Sequence, residues 1–310
     1  MFFEEPIYDS KEAELELYTD GKMRVAVPHL PAGTSPEAAE AAQRKMIDRI
    51  VERELENQRP VLWYYTPMSI AFTNHVKARA VVYDCMDELT LFQGAPPHLK
   101  EREKQLLKQS DVVFTGGHSL YEYKRETSQH KNLYPFPSSV DVPHFAQARE
   151  HQADPRDQAE IPSPRVGFFG VIDERMDIAL LDELAAMRPD LHLVMIGPIV
   201  KIDPAMLPRR PNIHYLGGKT YQELPRYLAN WDVAMLPFAR NDSTRFISPT
   251  KTPEYLAAGK PVVSTSIRDV VRPYGEGGLA WIADTAPEMS EAIDQALASE
   301  PHARIAHADS

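Results

Sequence analysis

Cysteine occurs once among the 310 residues, at Cys85. A single thiol excludes an intrachain disulfide and a cysteine-built zinc site, and it suits a reducing compartment. No apolar run reaches the about 18–20 residues a spanning helix needs, and no stretch at the start reads as a signal peptide. Basic charge is short too: 34 Lys and Arg stand against 45 Asp and Glu, a net charge of −11. A general nucleic-acid binder needs a broad basic face, so that class is set aside. An anionic small ligand needs only a few local cations and stays open. Repeats and low-complexity tracts are absent as well. Apolar residues are plentiful at 43%, enough for two cores at about 150 residues per domain.

Along the chain, strand and helix signals alternate. Met1-Phe2-Phe3-Glu4-Glu5-Pro6 enters at once as a strand. Leu15–Tyr18 and Met23–Val27 flank Asp20-Gly21, a hairpin turn. Ser35 and Pro36 provide the cap and first turn of a helix to about Asn57. Strands follow at Val61–Tyr65, Ala80–Tyr83, Asp111–Phe114 and Leu133–Phe136, with helices from about Pro97 to Gln109 and from near His118. This pattern predicts a parallel sheet buried on both faces. Glu150 to Pro164 is polar, contains three prolines and reads as a linker. A second series then runs through strands at Arg165–Phe169, Leu191–Ile196, Ile213–Leu216, Asp232–Pro237, Pro261–Ser264 and Leu279–Ile282. Helices at Ile178–Met187, Tyr221–Leu228 and Pro287 to about Ala298 fall between and after them. The expected fold is α/β, with two Rossmann-like doubly wound domains facing a central cleft. The N-terminal domain would be residues 1–150, the linker 151–164, the C-terminal domain 165–290, and a helix and tail 291–310.

The most informative segment is Ile247-Ser248-Pro249-Thr250-Lys251-Thr252-Pro253-Glu254-Tyr255-Leu256-Ala257-Ala258-Gly259-Lys260-Pro261-Val262-Val263-Ser264. It reads as loop, short helix, glycine stop and apolar strand. Pro253 tolerates its missing N–H in the first turn, Glu254 meets the positive end of the helix, and Gly259 suits the left-handed C-terminal position, with Lys260 near the carbonyl end. Lys251 stands three residues before Glu254, so ammonium, carboxylate and free N–H groups share one junction. That set fits a ligand with both phosphate and sugar hydroxyls.

The order of these segments resembles the GT-B glycosyltransferases, in particular the large retaining family often called family 4. Pro253–Val263 resembles that family's donor-binding helix, in which the glutamate at the Glu254 position accepts from the nucleotide ribose. A second glutamate usual eight residues earlier is replaced here by Phe246. Gly167-Phe168-Phe169-Gly170-Val171-Ile172-Asp173-Glu174-Arg175 resembles the turn that supplies two cations to the donor pyrophosphate. Val171 replaces the arginine, leaving Arg175 with Lys251 for that role, where negative charge builds on the leaving diphosphate. Surface pairing of Arg175 with Asp173 or Asp177 is the alternative.

Gly197-Pro198 and Tyr215-Leu216-Gly217 resemble the turns around the nucleotide base. The implied donor-binding residues are Gly170, Arg175, Gly197, Ser248, Thr250, Lys251 and Glu254. Thr115-Gly116-Gly117-His118-Ser119 opens a helix whose N-terminus would attract an anion or hydroxyl-rich ligand. His118 could contact the donor sugar or act near the acceptor, or serve as a cap. Asp84 and Asp87, at another strand end, are the other catalytic candidates, with an N-cap role open for Asp87. Pro137-Ser138-Ser139-Val140-Asp141 matches a family turn and reads as structural, and Trp63-Tyr64-Tyr65 reads as core or acceptor face.

The resemblance implies retaining transfer of a sugar from a nucleotide-sugar donor to a glycan or lipid-linked acceptor. It implies no cofactor beyond the co-substrate, and no metal, in keeping with the lack of an Asp-x-Asp placed for a metal diphosphate. The expected setting is polysaccharide or glycoconjugate synthesis in the cytoplasm, with peripheral contact at the inner membrane face. The family's first strand, glycine turn and helix are not seen before Phe2, an expected omission of about 30 residues, one βα unit. Two other readings stand beside the transferase: a GT-B nucleotide-sugar epimerase and a non-catalytic nucleotide-sugar-binding relic.

Overall fold

The computed structural model describes residues 1–55 and 58–310. Two compact units emerge. One comprises Met1–Cys85, Pro96–Phe114 and His130–Leu133; the other comprises Met86–Ala95, Thr115–Gln129 and Tyr134–Ser310. These bounds differ from the 1–150, 151–164, 165–290 and 291–310 read from the sequence. Residues 151–164 also carry fixed packing. Gln158 is fully buried, its amide nitrogen donating to the Tyr227 carbonyl at 3.2 Å while its oxygen accepts from Trp231 Nε1 at 2.9 Å.

In the first unit, β1 (Phe2–Phe3) and β2 (Ile7–Ser10) pair in parallel with β4 (Met23–Pro31), and β3 (Glu14–Asp20) pairs with it antiparallel. Asp20 faces Met23 in that register, so the hairpin turns on Gly21-Lys22, one residue later than expected. Alternating chemistry leaves β3 exposed along most of its length, and Leu30, Ala39 and Met46 form a small core. A second sheet orders β5 (Val61–Tyr64), β6 (Ala80–Cys85), β7 (Val112–Thr115) and β8 (Leu133–Pro135) in sequence. Burial on both faces, expected throughout, fails for β2 and β3, which are mostly exposed, and for β5, where Val61 and Trp63 are exposed. Ser35 accepts from the Ala38 N–H at 3.3 Å and starts helix Pro36–Glu54 as expected; Asn57, the expected end, lies outside the described residues.

The second unit is built on β9 (Arg165–Phe169), β10 (His192–Ile196), β11 (Ile213–Gly217), β12 (Val233–Leu236), β13 (Val262–Ser264) and β14 (Ala280–Ile282). All pairs are parallel and the spatial order is β11-β10-β9-β12-β13-β14. The order reverses between β9 and β12, the switch point where an open α/β sheet leaves a crevice at its carboxyl ends. Largely apolar runs bury β9, β10, β12 and β13 almost completely, the pattern of a sheet covered on both faces. Helices Ile178–Met187 and Ala286–Ala298 contribute Leu181, Leu184, Met289 and Ile293 to that core. The tail expected after residue 298 contains a further helix, Pro301–Ala308, capped by Glu300.

Candidate functional site

Helix Lys251–Ala257 ends in a Schellman motif. Gly259 N–H donates to the Leu256 carbonyl at 2.9 Å and Lys260 N–H to the Tyr255 carbonyl at 3.0 Å. Gly259 has φ +72°, where a side chain would be strained. The fully buried Tyr255 hydroxyl accepts from Phe169 N–H at 3.0 Å, fixing the helix to the end of β9. The Lys260 side chain turns away from its own helix: Nζ donates to the Ala229 and Trp231 carbonyls at 2.9 and 3.0 Å.

That anchoring sets the polar groups. Lys251 Nζ lies 3.6 Å from Glu254 Oε2 and 5.4 Å from the Phe169 ring centroid, and donates to Thr250 Oγ1 at 3.0 Å. Gly170 adjoins it; a Cβ built there would sit 3.4 Å from Lys251 Cε. Burial raises the Glu254 pKa, opposed by Lys251 and His144. Glu254 Oε2 is buried and has no hydrogen-bond partner among the described residues. A buried acceptor without a donor is costly, and ligand hydroxyls would satisfy it. His144, on helix Val142–Ala146, stacks on Tyr221 at 4.1 Å and is bonded through Nε2 to the Tyr221 carbonyl at 2.9 Å. Gly197 has φ +148°, and a Cβ there would lie 1.8 Å from the Gly170 carbonyl oxygen. Only glycine permits these two turns to touch.

Arg175 is engaged on both sides. Its guanidinium pairs with the buried Asp173, Nη2 to Oδ2 at 2.7 Å and Nε to Oδ1 at 3.0 Å. Asp87 faces the same guanidinium, and burial raises the Asp87 pKa against that attraction. Asp177 is instead the cap of helix Ile178–Met187, accepting from Leu180 N–H at 2.9 Å. Of the candidate residues, Gly170, Gly197, Thr250, Lys251 and Glu254 thus form one cluster, and Asp87 joins Arg175.

His118 is exposed at the first turn of helix His118–Ser128. The N-terminus of that helix, expected to draw a ligand, is filled by the chain itself. Asp269 Oδ1 accepts from Ser119 N–H at 2.9 Å, and a Cβ on Gly117 would lie 2.1 Å from Asp269 Oδ2 and 2.8 Å from Ser248 Cβ. A carboxylate there accepts from the Ser119 N–H and meets the positive end of the helix. Nothing in the sequence signals it, since cap and helix lie 150 residues apart. Phe246 is buried and stacked on Tyr123 at 4.5 Å. Asp84 belongs to the first unit, where Trp63 Nε1 donates to it at 3.2 Å and burial raises its pKa. Among the described residues no three His, Cys, Asp or Glu gather as metal ligands, and no helix is long and apolar enough to cross a membrane.

Residues 163–299 match the family model described as glycosyl transferases group 1. The chain is 24% identical over 236 residues to the putative teichuronic acid biosynthesis glycosyltransferase TuaH of Bacillus subtilis, covering 72% of this chain and 59% of that relative's length. Sucrose-phosphate synthase of Thermosynechococcus elongatus superposes with a TM-score of 0.68 at 16% identity, over 94% of this chain and 78% of that one. HepE of Anabaena, solved with UDP and glucose, superposes with a TM-score of 0.64 at 13% identity, over 92% of this chain and 79% of that one. The chain therefore has the GT-B fold, and its residues 163–299 are similar to the glycosyl transferases group 1 model.

Proposed function

We propose that the chain transfers a sugar from a nucleotide-sugar donor to an acceptor hydroxyl, with retention and without a metal. The observation that carries this is Glu254, whose buried Oε2 lacks a donor beside Lys251 and Gly170. Ribose hydroxyls would donate to Glu254, while Lys251 and Arg175 would offset charge growing on the leaving diphosphate. Gly170, Gly197, Ser248 and Thr250 line the donor path. His118, Asp84 and Asp87 are assigned to the sugar or the acceptor. The transferred group is hexose-like and the acceptor is a glycan or lipid-linked glycan. The reaction serves polysaccharide or glycoconjugate synthesis in the cytoplasm, at the inner membrane face; the name of the Bacillus relative supports the biosynthetic role.

The test is thermal stability with UDP, GDP and ADP, then with their sugar conjugates, for wild type and Glu254→Ala. One nucleotide is expected to raise Tm in the wild type and not in the variant; no shift with any of them would overturn the reading. A non-catalytic binder is the second reading, favoured by Phe246 and by the engagement of Arg175 with Asp173. Nucleotide binding without transfer or slow donor hydrolysis would select it.

A further inference from the structure

Glu174 has no part in the donor contacts assigned above, yet its environment is unusual. The side chain is only 14% exposed, and neither carboxylate oxygen has a hydrogen-bond partner among the described residues. The nearest cation, Lys201 Nζ, stands at 3.8 Å from Oε1, beyond hydrogen-bond range. A buried carboxylate ordinarily collects several donors, and a native structure that leaves both oxygens empty calls for an explanation. The backbone around Glu174 is held firmly. Its own carbonyl accepts from Asn241 Nδ2 at 3.3 Å, and the Arg175 carbonyl accepts from Ala239 N–H at 2.7 Å. The empty acceptors are therefore held in place by the fold.

The position matters as much as the vacancy. Residues 170–175 leave the carboxyl end of β9, starting beside Lys251 at Gly170. At Glu174 they meet residues 239–241, which leave the carboxyl end of β12. These are the two strands that flank the switch point, so Glu174 lies at the crevice where ligands of such sheets bind. A hexose presents several hydroxyl donors, and Phe246, packed on Tyr123, offers them no acceptor. Resting on the nucleotide-sugar reading above, we infer that Glu174 binds the hydroxyls of the transferred sugar and selects for them. Lys201, over the face of Phe92 at 5.4 Å, is the cation that steadies the carboxylate.

The experiment compares nucleotide with nucleotide-sugar affinity by calorimetry, using UDP, GDP and ADP against UDP-glucose, UDP-galactose, UDP-N-acetylglucosamine, GDP-mannose and ADP-glucose. Wild type, Glu174→Gln and Glu174→Asp are measured. The expected result is that the affinity gained by adding the sugar falls about tenfold or more in Glu174→Gln. Affinity for the bare nucleotide should change by less than about threefold. Glu174→Asp keeps the charge and should lose part of the gain; it also serves if the glutamine variant fails to fold. An equal loss for nucleotide and nucleotide-sugar would make Glu174 a prop for Arg175 and overturn the inference. So would a wild type that binds nucleotide with no gain from any sugar. A wild type that binds no nucleotide would overturn the donor-site reading itself.

Discussion

Burial works against the charge of Glu254, with Lys251 and His144 opposing that effect. Its pKa is raised above the ordinary 4.5 by burial, so between 4.5 and that raised value the folded state holds more protons than the unfolded one. Stability therefore falls as pH rises through this window, and the penalty is fully present above it. Replacing the carboxylate with an uncharged amide removes the penalty. Glu254→Gln is expected to raise the Tm of the ligand-free protein by about 2 °C, for a gain of about 1 kcal/mol. The same variant should lose the nucleotide-induced rise, the usual exchange of stability for function. Its advantage should shrink as pH approaches 4.5, and a scan of both proteins across that range would expose a different outcome. The residue types at this junction were readable because Lys251 and Glu254 are local in sequence. The emptiness of Oε2 was not, because it depends on which donors other elements fail to bring.

Elements show the same division. The helix stop at Gly259 and the start at Ser35 follow from local chemistry and appear where the sequence puts them. The cap of helix His118–Ser128 does not, since Asp269 arrives from a distant segment. Asp269→Ala is expected to destabilise the protein by about 1–2 kcal/mol, as for a lost N-cap, measurable as a lower urea midpoint. An unchanged midpoint would show that water satisfies the Ser119 N–H. Lys260 ties two helix ends together and has its pKa lowered to about 8, chiefly by burial. Between pH 8 and the ordinary 10.5 the unfolded chain holds this proton and the folded chain does not. Stability tied to Lys260 thus rises with pH across that window, and its cost is fully present below it. The wild-type urea midpoint should therefore gain on that of Lys260→Met between pH 8 and 10.5; parallel curves would contradict the burial argument.

For the whole molecule, the sequence alone determined the alternation of strands and helices, the parallel character of the second sheet and the segment that builds the donor junction. These follow from hydrophobic runs, prolines and glycines whose effects reach only a few residues. It also carried enough motif order for the GT-B resemblance. Tertiary structure decided the rest. The two compact units, the packing of residues 151–164 and the exposed β3 depend on what each segment meets. The filling of one helix N-terminus by Asp269, the engagement of Arg175 by Asp173 and the empty oxygens of Glu254 and Glu174 do as well. Local patterning fixes what a residue can donate or accept, whereas only the folded chain determines whether a partner comes within about 3 Å of it.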